Sequence, residues 1–259
     1  MVGRVERYLL ERIENEGTIH MTLIDPEKTD PETAALISSD SESLGSSAIM
    51  VGGTTIVSQN ILNSVVKQVK EAVSIPVILF PNNIVAISEY ADAIWFMSLL
   101  NSADPYFISG AQVLAAPLIK KLSLEAIPLG YIIVGEGGSA GVIGKACPIP
   151  YNKPELAIAH ALAAEFFGMR FVYLEAGSGA SRPVPAEMIR KVKEGISIKL
   201  IVGGGIRNGN QAKEAAKSGA DVIVTGTIIE GEERESIKSK LSEIISGMRE
   251  GAKAKLRMR

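Results

Sequence analysis

The sequence predicts an α/β protein whose parallel sheet closes into an eight-stranded barrel. Two observations carry that expectation. Eight short apolar runs recur, at residues 19–24, 48–51, 77–80, 93–97, 127–134, 171–174, 199–202 and 222–225. Most are continuous in apolar residues rather than alternating, as strands buried on both faces are. Amphipathic or alanine-rich stretches, such as 155–167, 185–194 and 208–218, lie between most of them, as helices do between parallel strands. A third observation is the length of 259 residues, which suits one barrel, since these run to about 200–250 residues as a single domain. Residues 1–259 therefore read as one domain.

Taken in order, the chain opens with Val5, Tyr8, Leu9 and Ile13 at helical spacing among charged residues, an amphipathic helix lying on a domain. No apolar run of signal-peptide length opens the chain, so its start is not expected to be a secretion signal, and the single cysteine makes a reducing cytoplasm the expected compartment. No run approaches the about 20 apolar residues of a membrane span; the longest, 126–134, is interrupted by Pro128 and Gly130. A peripheral contact with the inner face of a membrane remains open. The connection 81–91, between the third and fourth strands, is too short for an ordinary crossover, which needs at least about 10–12 residues including its helix. A missing or reduced helix is expected there, opening the barrel wall.

After the fifth strand comes the glycine-rich segment 135–141, with two readings, a lid or a plain solvent loop. A faint echo relates residues 44–53 to 218–227, with 90–98 a weaker copy, as equivalent units of a barrel would show. The tail 249–259 carries five cations against one acid, Glu250. It reads as a solvated, frayed helix end, or alternatively as a contact for anionic lipid.

Composition excludes several functions. With 46% hydrophobic and 22% charged residues, a substantial core is expected. A net charge of -2 and 5% aromatic residues argue against a nucleic-acid partner. The single cysteine, Cys147, allows no internal disulfide or thiolate cluster and reads as inert.

Candidate chemistry gathers at the predicted C-terminal ends of the strands, where barrels place their sites. The seventh strand runs into Gly203-Gly204-Gly205-Ile206-Arg207, the eighth into Gly226-Thr227, and the sixth is Tyr173-Leu174-Glu175-Ala176-Gly177-Ser178-Gly179. Small-residue turns let backbone N–H groups approach an anion, so three at adjacent strand ends point to a phosphorylated ligand. Glu175 is an anion beside that cup. It either orients or deprotonates a substrate hydroxyl, or pairs with Arg182 or Arg207. Across the mouth, Asp25-Pro26-Glu27-Lys28 follows the first strand, and Thr54-Thr55 the second. One carboxylate and a hydroxyl suit Mg²⁺ completed by water and phosphate oxygens rather than zinc, although an Asp-Pro pair is also an ordinary turn or cap. Lys28 adds a point charge toward a second anion. His20, within an apolar strand, reads as a satisfied core residue.

Together, His20-Met21-Thr22-Leu23-Ile24-Asp25-Pro26-Glu27-Lys28, Val51-Gly52-Gly53-Thr54, the Tyr173–Gly179 segment and Ile201-Val202-Gly203-Gly204-Gly205-Ile206-Arg207 resemble the geranylgeranylglyceryl phosphate synthase family. The resemblance implies a modified TIM (β/α)8 barrel with one helix absent and a part in archaeal ether-lipid synthesis. It further implies that Asp25 and Thr54 ligate Mg²⁺. Tyr173, Leu174, Glu175, Ala176, Gly177, Ser178, Gly179, Gly204, Gly205, Gly226 and Thr227 would bind sn-glycerol 1-phosphate, with Glu175 and Tyr173 catalytic. Geranylgeranyl diphosphate would be the second substrate, its tail in a groove near Trp95, Phe96, Tyr106 and Phe107. Pro128-Leu129-Gly130-Tyr131 and Trp95 resemble the larger archaeal subgroup, which implies a homo-oligomer, a dimer or a dimer-based hexamer. The rival readings are a barrel isomerase or lyase acting on a sugar phosphate, prenyl transfer with a longer chain, and a non-catalytic phosphate-binding scaffold.

Overall fold

Eight parallel strands close on one another in chain order: β1 (Ile19–Ile24), β2 (Ala48–Val51), β3 (Val77–Leu79), β4 (Ala93–Leu99), β5 (Glu125–Ile133), β6 (Phe171–Glu175), β7 (Lys199–Gly203) and β8 (Val222–Thr225). The computed structural model describes residues 2–55, 58–226 and 233–257. Around the barrel lie α1 (Arg4–Glu16), α2 (Pro31–Leu44), α3 (Gln59–Ala72), α4 (Ala111–Lys121), α5 (Gly138–Ile143), α6 (Pro154–Phe166), α7 (Ala186–Gly195), α8 (Gly209–Lys217) and α9 (Arg234–Arg257). The strand expectations hold to within two residues at most ends.

Side chains alternate across each strand, so one set fills the barrel and the other meets the helices. Met21, Met50, Ile78, Trp95, Phe171 and Tyr173 pack inside, with Val5, Leu9 and Ile13 of α1 in the same cluster. Helix α1 thus stoppers the N-terminal end of the barrel. Its first amides, on Val5 and Glu6, donate to the Glu125 carboxylate at 2.9 and 2.8 Å, which supplies the cap that Gly3 lacks.

No helix is described between β3 and β4, as expected from the short connection. A π-helical turn, Tyr106–Gly110, leads instead from the β4 loop into α4. Two expectations need correction. The 135–141 segment is not simply an open loop: its second half is the first part of α5, and Gly138 lies against the backbone of Gly177 and Ser178. Nor is the tail frayed through Arg257. Helix α9 continues that far because Lys255 is buried, its ammonium 2.9 Å from Gly17 O and 2.9 Å from Asp221 Oδ1. Burial alone would raise the Asp221 carboxyl, but Lys255 and Lys193 hold it below its usual range.

Among the described residues no helix is long and apolar enough to cross a membrane.

Candidate active site

Tyr173 and Glu175 occupy successive inward positions on β6, and Leu174 and Ala176 consequently face the outer core. Glu175 is only 6% exposed. Its Oε1 accepts the Gly177 amide at 2.6 Å, and the Tyr173 hydroxyl donates to the same carboxylate. Burial raises the Glu175 pKa, while those two donors pull it back. Tyr173 and Tyr131 are pushed well above the ordinary phenol value, by burial first and then by the Glu175 charge, so both stay protonated donors. The alternative pairing of Glu175 with Arg182 or Arg207 does not form. Arg207 instead donates to the carbonyls of Gly179, Ala180 and Ser181, and Arg182 lies over the Tyr151 ring at 4.4 Å.

The turn after β7 is built around Gly204 and its neighbour. Gly204 has φ +81°, and a methyl there would sit 2.5 Å from Glu175 Oε1 and 2.7 Å from the Gly177 amide. Only glycine satisfies both the backbone and the space. Helix α8 begins just beyond, capped by Asn208, so its N-terminus adds partial positive charge near this turn.

At the end of β1, Asp25 is partly accessible. Its Oδ1 accepts the Glu27 amide at 3.1 Å, and Lys28 Nζ lies 3.8 Å from Oδ2. The two loops beyond β2 and β3 are tied together by Asn82 Nδ2, which donates to Thr54 O at 2.9 Å.

These ends meet in one cavity of about 680 Å³. Asp25, Thr54, Tyr173, Glu175, Ser178, Gly179, Gly204, Gly205 and Gly226 all line it. Leu174 and Ala176 stay behind the wall, and Gly177 serves through its amide to Glu175. Thr227 lies outside the described residues. The floor is an aromatic trio, with Phe80, Tyr131 and Tyr173 at ring-centroid distances of 5.2–5.7 Å. From that floor the cavity passes over β4 onto Ile94 and Phe96, which face outward, and on to Ala111, Ala115 and Ile119. It thus occupies the space that a β3–β4 crossover helix would fill. Trp95, Phe96 and Phe107 lie on the wall, whereas Tyr106 does not.

Sequence reasoning missed Phe80, Gln112 and Lys240 on that wall. Phe80 was hidden as the last residue of an apolar run. Lys240 sits in the second turn of α9, far from any motif, and no local signal marks it.

Among the described residues no cluster of three or more His, Cys, Asp or Glu side chains is present, so a self-sufficient transition-metal cage is absent. One partly accessible carboxylate with a threonine on the same cavity wall still fits a hard cation that takes its remaining oxygens from water and a phosphorylated ligand.

The PcrB family matches residues 11–248. The chain belongs to the PcrB family. The geranylgeranylglyceryl phosphate synthase of Thermofilum pendens is 53% identical over 252 residues, covering 97% of this chain and 98% of that one. The synthase of the same name from Pyrococcus abyssi is 53% identical over 249 residues, with 96% and 99% covered. The crystal structure of (S)-3-O-geranylgeranylglyceryl phosphate synthase from Thermoplasma acidophilum, in complex with substrate sn-glycerol-1-phosphate, superposes with a TM-score of 0.92. It is 40% identical and covers 96% of this chain and all of that one. This PcrB-family chain is an enzyme, a prenyltransferase. A thiamine phosphate pyrophosphorylase from Pyrococcus furiosus, 15% identical with a TM-score of 0.59, shares the fold alone.

Proposed function

We propose that the enzyme joins the C3 hydroxyl of sn-glycerol 1-phosphate to the geranylgeranyl group of geranylgeranyl diphosphate, in archaeal ether-lipid synthesis. The single observation that carries this is the shared cavity, in which Asp25 and Glu175 face one space together with the glycine turns. The resemblance of the chain to synthases of that name adds to it.

In this reading the amides around Gly179, Gly204, Gly205 and Gly226 hold the phosphate of the acceptor. Glu175 receives the proton of the C3 hydroxyl as that oxygen bonds to C1 of the prenyl chain. The allylic C1–O bond breaks, and diphosphate leaves with the bonding pair. Burial makes Glu175 a stronger base than an exposed carboxylate, and Tyr173 keeps it aimed. Asp25 and Thr54 would hold Mg²⁺, which when bound neutralises charge on the leaving diphosphate. Lys28 adds a cation on that side. The apolar extension over β4 receives the hydrocarbon tail and excludes water from the reacting carbon.

We further propose that the enzyme acts as a homo-oligomer, a dimer or a dimer-based hexamer, in the cytoplasm. Exposed Phe166 and Phe167 at the end of α6, and Val113 and Leu114 on α4, provide apolar surface that self-association covers.

The deciding experiment is incubation with sn-glycerol 1-phosphate, Mg²⁺ and a ladder of prenyl diphosphates, with products identified by mass. A C20 ether with released diphosphate is the expected product. No ether from any donor overturns the reading, and a longer product favours the longer-chain alternative.

A further inference from the structure

His20 has no exposed surface, and neither Asp25 nor Glu175 touches it. It is the second residue of β1, with its ring on the outer face. Its Nδ1 is 2.8 Å from Ser46 Oγ, and its Nε2 is 2.9 Å from Thr225 Oγ1. Ser46 Oγ is in turn 3.2 Å from Thr22 Oγ1. Ser46 belongs to the turn that enters β2, and Thr225 closes β8. One imidazole therefore ties three consecutive strands of the barrel.

The position of Thr225 gives this link a functional consequence. Thr225 lines the cavity and immediately precedes Gly226. The sheet holds it on one side only: pairing with β1 extends to Thr22 and Thr225, whereas pairing with β7 ends at Gly203 and Val224. Among the described residues, a methyl at Gly226 would find only ordinary contacts, the nearest 3.4 Å away at Leu23. The hydrogen bond to His20 adds a side-chain restraint to this strand end. A neutral imidazole offers one donor and one acceptor, and burial keeps this ring neutral by lowering its pKa to about 3.

We propose that His20 is a positioning residue for the phosphate cup: acting through Thr225, it fixes the end of β8 so that the Gly226 backbone meets the anion. The proposal rests on the phosphate-binding reading above.

The test is calorimetric binding of sn-glycerol 1-phosphate and, separately, of a prenyl diphosphate, together with steady-state KM values for both. His20→Ala should weaken glycerol phosphate binding about tenfold, as expected for one lost buried hydrogen bond that orients the site. The prenyl diphosphate KM should stay within about twofold, because the loss acts only on the phosphate side. His20→Gln retains a donor and an acceptor and should recover most of the affinity. Thr225→Val cuts the same bond from the other end with little change of shape, so it should reproduce His20→Ala even if that variant folds poorly. A purely structural role predicts a lower Tm with both substrate constants unchanged, or both shifted alike; either result overturns the proposal. If the wild-type chain binds no glycerol phosphate at all, the functional reading itself has failed. If the wild type binds and all three variants bind equally well, the assignment of His20 alone has failed.

Discussion

The Tyr173 hydroxyl donates a hydrogen bond to the carboxylate of Glu175, two residues further along the inward face of β6. Together with the Gly177 amide at 2.6 Å, it leaves the carboxylate aimed at the cavity with no arginine beside it. Glu175→Gln keeps the shape and removes the base. Turnover should fall about 10²–10⁴-fold, while calorimetry still detects glycerol phosphate binding. Near-normal turnover would exclude Glu175 as the proton acceptor.

The same contact sets a pH dependence. Glu175 must be ionised to act, so kcat/KM should fall on the acid side through a pKa above the usual carboxylate range, raised by burial. Tyr173→Phe removes a donor that stabilises the anion. The acid limb should therefore move to higher pH, and an unmoved or lowered limb would contradict the assigned contact.

Gly204→Ala should strike both substrate binding and stability. Its φ of +81° strains any other residue, and the added methyl would displace Glu175 and Gly177. A loss of at least about 2 kcal/mol is expected, read as a lower Tm, with a raised KM for glycerol phosphate. A neutral effect on both would mean that the β7 turn is not part of the cup.

Asp25→Asn should raise the Mg²⁺ concentration for half-maximal rate by at least about tenfold, and EDTA should abolish wild-type turnover. Full prenyl transfer in EDTA would instead mean that the reaction needs no divalent cation, and the assignment of Asp25 and Thr54 to Mg²⁺ would fall.

His20 predicts a stability profile. Its folded pKa, lowered by burial to about 3, lies below the unfolded value of about 6.5. The unfolded chain therefore binds one more proton between those limits. The stability due to the neutral ring is complete above about pH 6.5 and falls by about 1.4 kcal/mol per pH unit as the pH drops toward 3. Urea unfolding of His20→Gln against the wild type should show that slope missing from the variant; parallel profiles would refute it.

Much of the barrel was legible because its strands are buried on both faces, which leaves continuous apolar runs. β1 and β2 match the expected limits residue for residue. β5 begins two residues earlier than its apolar run, because Glu125 is spent on capping α1, a partnership across 120 residues that no local pattern reveals. Helix α5 was obscured by glycines, and the buried Lys255 by a tail that looks solvated. In the candidate site, residue type alone pointed to Asp25, Thr54, Glu175 and the glycine turns, all of which line the cavity. Strand alternation, applied to β6, separates Tyr173 and Glu175 from Leu174 and Ala176, whose side chains face away. Lys240 and Phe80 stayed hidden because only closure of the barrel brings them to the same wall.

Because α1 closes the opposite end, the described cavity lies at the C-terminal mouth and along the gap between β3 and β4. In the proposed reaction, donor and acceptor share this one space and the oily product leaves from it. Whichever molecule lingers there blocks the next arrival. Retained product should therefore compete with both substrates, a pattern that product-inhibition kinetics would read.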